Sequence, residues 1–311
     1  MSENDAYIAL NWTKDDPENK IGLFRAGRFT TVSTGLSSLS AIVLAGLFFA
    51  LGFLALKPLA IKFAWLGIVV DPIVRTQNLV VVIPIVYLFF WCIASLFIKG
   101  RKIKFQERAL DLAAVPQQVD FFLYEATAQA VLQRLYQLVD SPRHFILLNR
   151  VDRALANLRN VGGVSDVSSI LSSQSDNDEN QINSSYGRIQ GFVWGIPVLG
   201  FIGTVLGLSK AIGKFGDIVK GSTELDEIKN GLTDVTAGLS TAFETTLIAL
   251  VAALIIQLYL NRIQAQENKF LDDCNDYCHA QVIAKLRLVP QQEQPAATPQ
   301  SGTQNAPPGQ L

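Results

Sequence analysis

The chain has 311 residues, 49% of them apolar and only 17% charged, and its formal net charge is −1. Soluble domains carry about 25% charge, so this composition argues against an ordinary soluble enzyme, and a net charge near zero leaves no global field to draw nucleic acid. Three cysteines and two histidines are too few for a disulfide framework and argue against a dedicated zinc centre.

Residues 1–30 form a polar N-terminal segment. They are too long and too acidic for the basic start of a cleavable signal, and no small-residue cleavage pattern follows. A first membrane span is predicted between Arg28 and Lys57, where no residue is charged and the chain is apolar from Ala41 onward. A second follows between Arg75 and Lys99 (LVVVIPIVYLFFWCIASLFI). A hydrocarbon core about 30 Å thick needs roughly 20 helical residues, and both stretches suffice. Residues 31–99 are greasy around most of each helix and read as lipid-facing. Lys99, Arg101, Lys102, Lys104 and Arg108 crowd the exit of the second span, which predicts that this end is cytoplasmic. Both termini and the long insert 100–188 then lie inside.

The insert is predicted to be a helical domain. One helix runs from Gln117 to Val139, with Phe121, Tyr124, Ala128, Leu132, Leu135 and Leu138 at helical spacing. Ser141-Pro142 starts a second, which carries Phe145, Leu148, Val151, Leu155 and Leu158 and stops at Gly162-Gly163. Arg150, Asp152, Arg153 and Arg159 read as its solvated face, and SSQSDNDENQINSS as a polar connector to the next span.

Residues 189–262 hold spans three and four. The third lies between Arg188 and Lys210, and the fourth from about Leu239 to Asn261 with one charge, Glu244. Both have a face of small residues: Gly200, Gly203, Thr204 and Gly207 on one, and Ala242, Thr246, Ala249 and Ala253 on the other. Small faces let helices approach closely in lipid, and threonine hydroxyls bond back to the preceding turn. Plain packing therefore accounts for the pattern, and so does a polar path for ions. Depth favours the path. At 1.5 Å per residue Thr204 and Thr246 both fall about 10 Å below the outer surface. Glu244 falls about 6 Å below it and points roughly 200° away from Thr246. Thr246 is thus expected to face a lumen and Glu244 a neighbouring helix, with Lys210 as its salt-bridge partner unless the carboxylate has a gating role.

Residues 263–289 continue as a helix. Its Cys274, Cys278 and His279 are one ligand short of a structural metal site. Residues 290–311 are a Pro/Gln/Ala-rich tail with nothing to bury, expected to be disordered. No GxxxxGK[ST], HExxH or GxSxG pattern occurs, so neither catalysis nor a cofactor is expected. The fold class is all-α, an integral membrane protein with four transmembrane helices and a helical cytoplasmic domain.

WGIPVLGFIGTVLGL, with Pro197 and the Gly203-Thr204-Val205 step, resembles the third span of the MotA/TolQ/ExbB proton channel family, and GLSTAFETTLIALVAAL resembles its last span with Thr246 at the hydroxyl position. The resemblance covers roughly residues 185–265. Four spans with an insert after the second resemble the family's flagellar stators. The resemblance implies a homopentamer in the bacterial inner membrane, whose last two spans line a pore holding two helices of a single-span MotB/TolR/ExbD-like partner. It implies that a partner aspartate carries the proton or sodium ion, and that the flow rotates the ring relative to the partner. Thr204, Thr246, Thr241 and Glu244 would then border the ion pathway, with Pro197, Gly200, Gly203 and Gly207 in helix packing or gating. Thr241 occupies the position where some members carry an acid. The second proline of stator proteins is absent from the last span, so the branch stays open. A non-conducting membrane scaffold is the alternative, and a secondary transporter fits poorly because inverted repeats and broken helices are lacking.

Overall fold

A computed structural model describes residues 9–22, 26–56, 75, 78–112, 114–116, 118, 120–156, 158, 164–221 and 225–287. The expected helix stop at Gly162-Gly163, the tail 290–311 and Arg159 lie outside them. Among the described residues the fold is all-α. Four helices are long and apolar enough to cross a membrane, within Thr34–Leu54, Leu79–Asp111, Val164–Gly213 and Gly231–Ile283. The chain is thus a multi-pass membrane protein.

The first element, α1 (Trp12–Asp15), is a single turn capped by Asn11, whose side chain accepts from the Lys14 N–H. The second, α2 (Thr34–Leu51), passes into a π-helical turn, Gly52–Leu56. Its Ile42, Val43 and Leu47 are exposed, while Ala41 and Ala45 are buried. The third, α3 (Leu79–Asp111), takes the other side of that contact through Val82 and Val86.

Helix α3 is more enclosed than α2, although both were expected to be open around most of their circumference. Half of the apolar window of α3 is buried, against 22% for α2. The reason is its place between α2 and the two longest helices: Trp91 donates to Ser38 Oγ on one side at 3.2 Å and meets the ring of Phe192 edge-on at 4.8 Å on the other.

In the insert, α4 (Glu125–Leu138) starts later than the periodicity predicts. Leu123 is held in a bridge with Leu286, so Phe121 lies outside the helix and Tyr124 becomes its N-cap. A 3₁₀ turn (Pro142–His144) leads into α5 (Ile146–Ala156). The polar run expected as a connector is instead helical. It belongs to α6 (Val164–Gly221), a continuous helix of 58 residues. Val167, Leu171, Ile182, Tyr186 and Ile189 supply its buried stripe. The stripe is interrupted by a buried Asp178, which hides its period from a hydropathy reading.

The last helix, α7 (Leu225–Tyr277), has 53 residues and closes in a π turn, Cys278–Ile283. It runs antiparallel to α6: Gly238 sits against Ala211, Gly207 against Ala242, Gly200 against Ala249, and Ser175 bonds Asn275. Both flanks of the chain return to the insert. Ala9 N–H donates to the Leu138 carbonyl at 2.8 Å, Asp140 caps α1 through the N–H groups of Trp12 and Thr13, and Leu123 N–H donates to the Lys285 carbonyl at 2.8 Å. The N-terminal segment, the insert and the end of α7 therefore form one body at one end of the spans.

Candidate functional site

The spans meet most closely where α6 and α7 offer no side chains to keep them apart. A methyl group at Gly200 would sit 2.5 Å from the Cβ of Ala249, one at Gly203 would sit 2.6 Å from Thr245 Oγ1, and one at Gly207 would sit 2.9 Å from the Cβ of Ala242. Glycine at these three positions is therefore a steric requirement. The small faces of the two helices turn toward each other rather than toward open space.

At this contact the hydroxyls of Thr204 and Thr246 hydrogen-bond to each other. Thr246 Oγ1 also donates to the Gly200 carbonyl at 3.0 Å, and Thr204 Oγ1 lies 3.3 Å from the carbonyls of Gly200 and Ala242. Two protons thus serve more acceptors than they can satisfy at once, and either hydroxyl can be the donor of the shared bond. Both residues are half-buried in the single chain. A third hydroxyl escaped the sequence reading. Thr245 is buried and donates to the Ala242 carbonyl at 2.9 Å, directly against Gly203. The doublet Thr245-Thr246 was its only sequence signal.

Glu244 turns away from this contact, toward α3. Its partner is Arg75 at 3.3 Å, with Asn78 Nδ2 donating to the same oxygen at 3.5 Å. The expected pairing with Lys210 is corrected by this geometry. Arg75 leads into α3, and α3 packs along α7, so a cation 169 positions away in sequence is nearer than the one on α6. Pro197 is half-buried inside an unbroken α6. Thr241 lies on α7, and its side chain is outside the described ones.

A second polar region lies at the other end of the spans. Lys99 and Glu267 are 3% and 0% exposed and form an ion pair at 3.0 Å. Thr30 and Tyr186 donate their hydroxyls to the same carboxylate, and Lys99 also donates to Ser185 Oγ at 3.0 Å. This cluster joins the N-terminal segment, α3, α6 and α7. One turn along α3, Lys102 is fully buried against Glu18 at 2.8 Å and donates to the carbonyls of Gly27 and Thr31. Asp16 lies 3.8 Å away. Burial raises its carboxyl above the ordinary value while Lys102 pulls the other way. Two lysines that look like a solvated flank are thus structural charges.

The solvated face expected on α5 holds for Arg153, which is exposed, and is corrected for Arg150 and Asp152. Arg150 is 1% exposed and pairs with Asp178 at 2.8 Å, and Asp152 is buried, accepting from the Tyr136 hydroxyl at 2.8 Å. The neighbouring polar helix α6 supplies the partner that lets the arginine sit inside. Cys274 and Cys278 are buried and free, and no group of three or more metal-ligating side chains occurs among the described residues.

Residues 140–275 match the family model of the MotA/TolQ/ExbB proton channel family. No curated protein and no solved structure matches the chain.

Proposed function

We propose, from the match of residues 140–275 to the MotA/TolQ/ExbB proton channel family, that the chain is the channel subunit of an energy-transducing complex in the bacterial inner membrane. It couples the proton or sodium motive force to rotation or other mechanical work through a single-span partner of the MotB/TolR/ExbD kind. Both termini and the insert lie in the cytoplasm, residues 189–262 line the path, and the working unit is a homopentamer around two partner helices. The apolar flanks of this helix pair leave a surface for lipid and for further copies of the chain. On those flanks Phe201 and Val205 of α6 and Phe243 and Leu247 of α7 are half or more exposed in the single chain.

The observation that carries this reading is the hydroxyl pair. Thr204 and Thr246 share one bond at one level, with more acceptors than protons, so the pair can hand its donor role from one oxygen to the other without a charge. That suits a layer assisting an ion carried by a partner carboxylate. The proposed roles of Thr241, Glu244, Pro197 and the three contact glycines follow from their places on the same two helices.

One observation favours the scaffold alternative: both threonine hydroxyls bond backbone carbonyls of the helix pair, as ordinary packing would have them. Valine separates the two readings. Thr204→Val and Thr246→Val, co-expressed with the partner and reconstituted in liposomes, are expected to assemble and lose ion flux. If both variants conduct as the unaltered complex does, the scaffold reading replaces the motor.

A further inference from the structure

The apolar run of α3 ends at Ile98, and five cations crowd the next ten residues: Lys99, Arg101, Lys102, Lys104 and Arg108. The fold sorts them into two sets. Lys99 and Lys102 turn inward and are held by Glu267 and Glu18. Arg101, Lys104 and Arg108 turn outward, are exposed, and form no ion pair among the described residues. With Phe97 they follow one another at i, i+4, i+7 and i+11, which puts all four on one stripe of the helix. Phe97 is 54% exposed, and the guanidinium carbon of Arg101 lies 5.4 Å from the centre of its ring.

The depths fit a lipid headgroup. Arg101 and Lys104 fall about 4.5 and 9 Å past Ile98 at 1.5 Å per residue, and the headgroup layer is about 5–8 Å thick on each side of the hydrocarbon. Helix side chains lean toward the N-terminus, which on α3 is the membrane side, so the long stems of Lys104 and Arg108 carry their charges back toward that layer. Two exposed carboxylates share this part of α3. Glu107 lies about a quarter turn to the side of the stripe, and Asp111 lies beyond its far end, about 15 Å from Arg101 along the axis. The membrane-proximal half of the stripe is therefore purely basic. A free anion would use these cations and ignore Phe97, and a zwitterionic headgroup would bring its own cation against Arg101 and Lys104. We propose that the stripe binds an anionic phospholipid, with the phosphate between Arg101 and Lys104 and an acyl chain along Phe97. The proposal is independent of ion transport. It gives the two sets of cations different duties: the inner pair holds the base together, and the outer three hold the base to the bilayer.

The test is native mass spectrometry of the full chain in detergent, titrated with phosphatidylglycerol, phosphatidylcholine or soluble glycerol 3-phosphate. Phosphatidylglycerol is expected to bind saturably at a concentration about tenfold below that needed for phosphatidylcholine, and glycerol 3-phosphate is expected not to displace it. Arg101→Gln with Lys104→Gln and Arg108→Gln should erase that preference. All three positions are exposed, so the buried pairs of α3 are left in place. A second triple variant, Lys14→Gln with Lys20→Gln and Arg134→Gln, removes the same charge from exposed positions of the N-terminal segment and α4 and should keep the preference. The proposal is overturned if the two lipids bind alike, if glycerol 3-phosphate displaces phosphatidylglycerol, if the α3 variant keeps the preference, or if both triple variants lose it equally.

Discussion

The same two helices are held together by opposite chemistry at their two ends. Around Gly200, Gly203 and Gly207 they touch through backbone, methyls and shared hydroxyls, and the nearest charge pair, Glu244 with Arg75, sits to the side. At the base they are bridged by buried cations from other helices: Lys99 of α3 pairs with Glu267 of α7 and donates to Ser185 of α6, and Arg150 of α5 pairs with Asp178 of α6 and donates to Asn275 of α7. Lipid offers no hydrophobic force to gather helices, so close approach and neutral hydrogen bonds must do it. Beyond the lipid, α4, α5 and the N-terminal segment supply enough protein to desolvate charges and satisfy them in networks. A contact built from small neutral groups can change its donor pattern cheaply. One built from buried ions holds a single arrangement.

That contrast is open to direct attack. Glu267→Ala leaves Lys99 buried without its counter-ion and is expected to cost about 3–5 kcal/mol, measured by chemical or thermal unfolding in detergent. Lys99→Met with Glu267→Met should recover most of the loss, because an apolar pair leaves no orphan charge. Gly200→Ala overpacks the outer contact, at an expected cost of about 1–3 kcal/mol. Ala249→Gly is the matching rescue, since the clash is with its Cβ. Thr204→Val should change stability least among these, about 0.6 kcal/mol for one hydrogen bond between membrane helices, although ion flux is expected to vanish. A Thr204→Val loss as large as that of Glu267→Ala would mean that both ends are clamped alike.

The smallest effect belongs to pH. His144 stacks on Trp12 at 3.8 Å, and burial lowers its imidazole below the ordinary 6.5, against the pull of Asp140. The unfolded chain takes up this proton first as pH falls. The contribution of His144 is therefore full above about pH 6.5 and is lost as pH drops through its folded value. His144→Phe should flatten the fall in unfolding midpoint between pH 7 and 5, and an unchanged slope would place the titration elsewhere.

The spans were legible because a charge-free run of about twenty residues matches the thickness of a bilayer core, and the hydroxyl level because rise per residue converts position into depth. The base was not legible. Lys99, Lys102 and Arg150 look like surface charges in any one-dimensional reading, since their partners Glu267, Glu18 and Asp178 are 168, 84 and 28 positions away. The polar stretch before the third span misled for a related reason: its buried aspartate breaks the apolar period while strengthening the helix's packing. Glu244 paired differently because the order of helices in space, not in sequence, sets which cation reaches it.

The length of α6 has a mechanical consequence. Its 58 residues span about 87 Å, nearly three bilayer cores, and the 40 residues from Val164 to Thr204 make an arm of about 60 Å. A tilt of about 5° pivoting at the threonine level would sweep the far end through about 5 Å, the rise of one helical turn. Because the same arm is riveted to α3, α7 and the N-terminal segment at Lys99–Glu267, the sweep would move the whole base as one piece. Sub-ångström events at a pair of hydroxyls would then arrive at the distal surface geared up to the scale of side-chain contacts.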